Sequence, residues 1–120
     1  VSLATADVLC EVAAERERQD AKWGQQDHPD GTGDWDSYAR KRSDHLKEIR
    51  EGKASVAKAA CDVAAAEGRL TYRHILDEEV CEAFAEDDAA ALRRELLQVA
   101  AVAVAWVEKI DRSQKAPERG

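Results

Sequence analysis

The run Glu78-Glu79-Val80-Cys81-Glu82 sets carboxylates at i, i+1 and i+4. On a helix turning about 100° per residue, Glu79, Glu82 and Glu86 fall within about 60° of one another and share a face. Leu76, Val80, Ala83 and Phe84 form an adjoining apolar stripe, so the acidic face borders a core. Further along, Glu95 and Gln98 stand at i and i+3, and Gln98 is the sole polar side chain between Leu96 and Val107. An amide set in such an apolar run calls for a hydrogen-bond partner or a ligand. If the two segments pack antiparallel, Glu79 and Glu82 face Glu95 and Gln98, where like charges repel unless a cation joins them. Mg²⁺, with Mn²⁺ as a substitute, is the natural ion, because a hard cation takes carboxylate oxygens, keeps waters and coordinates phosphates. Spacing alone favours a solvated acidic helix face; Gln98 opposite the acids is what draws the segment towards a metal site.

These side chains need elements to hold them. Pro29 and Pro117 lie in irregular segments, and the long stretch between them is free of the strongest helix breaker. Gly24, Gly31, Gly33, Gly52 and Gly68 then act as punctuation between helices. A first helix is expected from about Ala6 to Lys22, with Val8, Leu9, Val12 and Ala13 as its apolar stripe and Trp23-Gly24 as its close. Residues 25–35 are dense in turn formers and read as an ordered or ligand-capping loop. Asp36 to Glu51 reads as a charged helix anchored by Tyr38, Leu46 and Ile49, and Lys53 to Glu67 as an alanine-rich helix ended by Gly68. Thr71 fits the N-cap of the acidic helix, which runs to about Ala85, with Leu70 and Ile75 as a hydrophobic staple.

Asp87 or Asp88 caps the last helix, expected to continue to about Arg112. Its apolar residues (Leu92, Leu96, Leu97, Val99, Val102, Val104, Trp106, Val107 and Ile110) wrap nearly all round it. Such a helix is central to a bundle or shared with a second subunit. No run alternates long enough to form a strand. The expected architecture is an all-α bundle of four to five helices, completed by oligomerisation. It would form one domain over residues 1–112, with a flexible tail at 113–120.

Composition narrows the classes of function. With 44% hydrophobic and 36% charged residues the 120-residue chain should fold around one core. A net charge of −7 argues against a broad nucleic-acid footprint, while free nucleotides remain reachable through bridging metal ions. Cys10, Cys61 and Cys81 are odd in number and lack Cys-x-x-Cys spacing, so they read as reduced structural thiols. His28, His45 and His74 have no metal-cluster spacing and read as surface or capping residues, and there is no P-loop. No charged-then-apolar leader opens the chain, and Leu96–Val107 is too short to span a bilayer, so a cytoplasmic protein without membrane contact is expected.

Glu78-Glu79-x-x-Glu82 followed, after a spacer, by Glu95-x-x-Gln98 resembles the Glu-Glu-x-x-Glu, spacer, Glu-x-x-Asp pattern of the all-α MazG-like nucleotide pyrophosphohydrolases, over Thr71 to about Val107. The resemblance implies a magnesium-dependent hydrolase that releases pyrophosphate from nucleoside or deoxynucleoside triphosphates and leaves the monophosphate. It implies Glu79, Glu82 and Glu95 as metal ligands, and Glu78 as a further ligand or water-activating base beside Glu79. Gln98 stands where the family has Asp; its amide oxygen still ligates but brings no charge, so weaker metal binding is expected. The segment Glu15 to Gln25 is similar to the opening of MazG-like proteins from actinobacteria and their phages. On its helical face Lys22 can meet a phosphate and Gln19 a base or sugar edge, and Trp23 can stack on a base or serve as a core aromatic. The family likeness also implies a homodimer or homotetramer. Two rival readings stay open: a MazG-like protein that binds or sequesters nucleotides without turnover, and a structural helical protein that binds a partner.

Overall fold

The computed structural model describes residues 1–32 and 43–115. Four helices carry these residues, and no strand occurs among them: α1 (Leu3–Trp23), α2 (Ser43–Ala66), α3 (Tyr72–Phe84) and α4 (Ala89–Lys115). The all-α expectation holds. None of the helices is long and apolar enough to cross a membrane. Residues 33–42, with Trp35 and Tyr38, and 116–120 lie outside the described residues, as do the parts of the expected loop, second helix and tail that fall there.

Contacts gather into two compact units, Val1–His28 with Ala103–Gly120, and Pro29–Val102. In the first, α1 begins three residues earlier than its apolar stripe suggests. The cause is Ser2, whose hydroxyl accepts the Thr5 backbone N–H at 3.1 Å and caps the helix there. Gly24 (φ 69°) closes α1, its N–H donating to the Asp20 carbonyl at 2.8 Å. Within this unit Thr5 donates to Glu108 on α4 at 3.1 Å, and Val8 is the buried apolar residue. Leu9 and Val12, expected beside it in a stripe, are each 46% exposed. Helix α4 runs to Lys115, past the expected end, and the Ser113 hydroxyl donates back to the Lys109 carbonyl there.

The second unit holds the acidic segment. Helix α2 passes straight through Gly52, which had been expected to separate two helices. Gly52 has no positive φ, and nothing lies within 4 Å of where its Cβ would be, so it is an ordinary helical residue. A glycine costs a helix interior about 1 kcal/mol, too little to interrupt an alanine-rich segment that packs on a neighbour. Ala57, Cys61 and Ala64 are buried at spacings of four and three, giving α2 a face of small side chains against which α3 packs. Gly68 (φ 72°) ends α2: its N–H reaches the Ala65 carbonyl at 3.1 Å and that of Arg69 the Ala64 carbonyl at 2.8 Å, a Schellman close.

Helix α3 opens on the expected cap. The Thr71 hydroxyl accepts the His74 N–H at 3.2 Å, while the Thr71 N–H donates to His74 Nδ1 at 3.1 Å. His74 is therefore a capping residue in a reciprocal box. Between α3 and α4 the turn is held from both sides. Asp88 accepts the Ala91 N–H at 2.9 Å and caps α4, while Asp87 takes the Arg50 guanidinium of α2 at 2.9 Å.

Candidate metal centre

Capping at both ends fixes where α3 starts and where α4 starts, and the short turn between them folds the chain back. One carboxylate oxygen from each of Glu79, Glu82 and Glu95 lies within 4.8 Å of the others. All three side chains are half-buried. Oε2 of Glu79 and Oε2 of Glu95 are shielded from solvent and receive no hydrogen bond. Burial, Glu95 and Glu78 push the Glu79 carboxyl above its usual range. Burial, then Glu79, Glu78 and Glu95, do the same to Glu82. Three acids set this close, with two solvent-shielded oxygens lacking donors, form a donor set suited to a hard divalent cation.

The other expected site residues, Glu78 and Gln98, fall differently, as does Glu86 of the shared acidic face. Glu78 stands close enough to the cluster for its charge to help raise the Glu82 carboxyl, after burial and Glu79, and it also helps raise the Cys61 thiol, after burial. Glu86, expected on the same helical face, lies beyond the end of α3: the Ala85 N–H bonds back to the Cys81 and Glu82 carbonyls and the Glu86 N–H to Ala83, closing the helix before it. Gln98, expected as a buried amide, is exposed in this chain. It lies about 60° round α4 from Glu95 and about 120° from the buried Leu92, on the solvent edge of the inward side that Leu92, Glu95 and Val99 mark.

The three residues expected to contact substrate sit on α1, in the other unit. Gln19 accepts a hydrogen bond from Arg16 at 2.7 Å and lines an open depression of about 690 Å³ with Arg16, Asp20 and Gln25. The Lys22 ammonium lies 4.8 Å from the centroid of the Trp23 ring, and Trp23 is 61% exposed, so it is no core aromatic in this chain.

No protein-family model, curated protein or solved structure matches the chain.

A second group of side chains had no place in the sequence reading. Arg50 and Lys53 of α2, Cys81 and Phe84 of α3, and Asp30, Gly31 and Thr32 line a cavity of about 290 Å³ within the second unit. Arg50 and Lys53 share a face at i and i+3 only because α2 is continuous across Gly52. Reading a break at that glycine put the two cations on separate elements and hid the pair.

Proposed function

We propose that the chain is a magnesium-dependent nucleoside triphosphate pyrophosphohydrolase of the MazG-like kind, cutting between the α and β phosphates. The observation that carries this reading is the meeting of Glu79, Glu82 and Glu95, with two solvent-shielded oxygens that no protein donor satisfies. Those three carboxylates would hold the ion, Mg²⁺ or Mn²⁺. When bound, it supplies neutralisation of phosphate charge and lowers the pKa of an attacking water. Glu78, at the edge of the cluster, is the side chain we assign to take the proton of that water. The water oxygen bonds to the α-phosphorus as the bond to the bridging oxygen breaks; pyrophosphate leaves and the nucleoside monophosphate remains.

The test is pyrophosphate release from a panel of nucleoside and deoxynucleoside triphosphates with Mg²⁺. Wild type should turn over, and Glu79→Gln and Glu82→Gln should abolish turnover while the helical signal persists. Activity retained in both variants would overturn the assignment. A Gln98→Asp variant should tighten Mg²⁺ binding if residue 98 reaches the ion.

The exposure and neutrality of Gln98 favour a second reading, in which the chain binds nucleotide without cleaving it. Ligand-dependent thermal stabilisation with no product would select it. A homodimer or homotetramer belongs to the proposal as well, supported by Leu96, Leu97, Val107 and Ile110, large apolar residues that α4 leaves 41–55% exposed. A monomer by light scattering at micromolar concentration would count against it.

A further inference from the structure

Helix α3 has two chemically different flanks. At about 100° per residue, Cys81 lies about 160° around the helix from Glu79, and Phe84 about 140°. The cavity they help to line is therefore on the flank away from the carboxylate cluster, between α2, α3 and residues 30–32. Its polar groups are mixed in kind. Among the described residues Lys53 forms no ion pair, and its charge is felt at the Cys81 thiol. Arg50 gives one guanidinium nitrogen, Nη2, to Asp87 and keeps its Nε–H without an acceptor. Thr32 is a buried hydroxyl residue, and Asp30 adds one carboxylate. Phe84 lines the same space and is 55% exposed.

In a chain with net charge −7, a cavity whose lining gathers two cations beside a single carboxylate, Asp30, is a place where an anion meets less repulsion than elsewhere. A volume near 300 Å³, with apolar walls and a few convergent polar groups, is that of a small-molecule site. The geometry points to a second ligand site, independent of metal, that takes a small organic phosphate bearing a hydroxylated ring. Lys53 and Arg50 receive the phosphate by charge-assisted hydrogen bonds. Asp30 accepts from a ring hydroxyl, Thr32 offers its own hydroxyl, and Phe84 covers the flat part of the ligand. A bare inorganic anion uses only half of this lining, and Asp30 repels it.

This inference does not rest on the pyrophosphohydrolase reading, and its test is arranged to keep the two apart. Binding of a nucleoside monophosphate, ribose 5-phosphate and inorganic phosphate is measured by calorimetry in EDTA, where the carboxylate cluster holds no ion. Both organic phosphates should bind, the nucleotide more tightly if Phe84 meets a base, and inorganic phosphate should bind more weakly than either. Lys53→Gln, a change at an exposed side chain, should weaken binding by about tenfold or more. Glu79→Gln should leave it unchanged. In a Cys10→Ser background, bound ligand should slow the reaction of Cys81 with a thiol reagent, a readout that depends on where the ligand sits. Absence of binding in EDTA, equal binding by Lys53→Gln, or inorganic phosphate binding as tightly as the organic ligands would each overturn the proposal.

Discussion

Glu79 and Glu95, on facing helices, each keep Oε2 shielded from solvent and without a hydrogen-bond donor. An ionised carboxylate oxygen in that position has lost its water without gaining a donor. The folded chain thus carries a local cost that a cation would relieve.

Mg²⁺ or Mn²⁺ should accordingly raise the melting temperature of the protein with no nucleotide present. At a free concentration of about one hundred times Kd the gain is about 2.7 kcal/mol. Glu95→Gln should remove most of it, since one of the three ligands becomes neutral. Differential scanning calorimetry with and without metal decides this, and identical melting curves would count against the site.

The pH dependence in EDTA has a definite sign. Glu79 and Glu82 have carboxyl groups raised above the ordinary 4.5 by burial and mutual repulsion. The folded chain therefore binds their protons more tightly than the unfolded chain does. The destabilisation is absent well below 4.5 and grows as pH rises through the raised values. Glu82→Gln, which removes one of the charges, should stabilise the metal-free protein more at pH 7 than at pH 4. A difference in melting temperature that does not change with pH would contradict this.

Gly52→Ala should stabilise the protein by about 0.5–1 kcal/mol, measured by urea unfolding. The residue is inside α2, its φ is not positive, and an added Cβ meets nothing within 4 Å. A loss of stability would mean that the helix does bend there.

Among the thiols, Cys61 should resist alkylation at pH 8 while Cys10 reacts. Cys10 is exposed, whereas Cys61 is buried, donates to the His74 carbonyl at 3.0 Å, and is pushed up to about 11 by burial and by Glu78, Asp62 and Asp77. Mass spectrometry of the labelled protein gives the order directly. Labelling of Cys61 before Cys10 would refute the packing of α2 on α3.

Much of this arrangement was legible in the sequence where a local signal and the tertiary outcome agree. Thr71 and Asp88 cap the helices they precede, and Gly24 and Gly68 close theirs, because these residues act on backbone groups a few positions away. Glu79, Glu82 and Glu95 could be paired because the turn between their helices is too short for anything but a reversal. Gln98 and Glu86 went astray for want of information that spacing does not carry. Which side of α4 faces inward is settled by packing, and Glu86 left its expected face when α3 ended at Phe84. Gly52 misled because glycine punctuates a helix only where the chain also turns. Leu9 and Val12 show the same limit, since a stripe at helical spacing marks a surface able to bury and does not name its cover.

Helix α3 has 13 residues, near the length below which an isolated helix is marginal in water. It persists because α2 packs against it, and α4 brings Glu95 to its acidic side. The carboxylate grouping therefore exists only while its neighbours stand, and a synthetic peptide excised around it would be a mostly unstructured chain of acids with no preorganised affinity for metal.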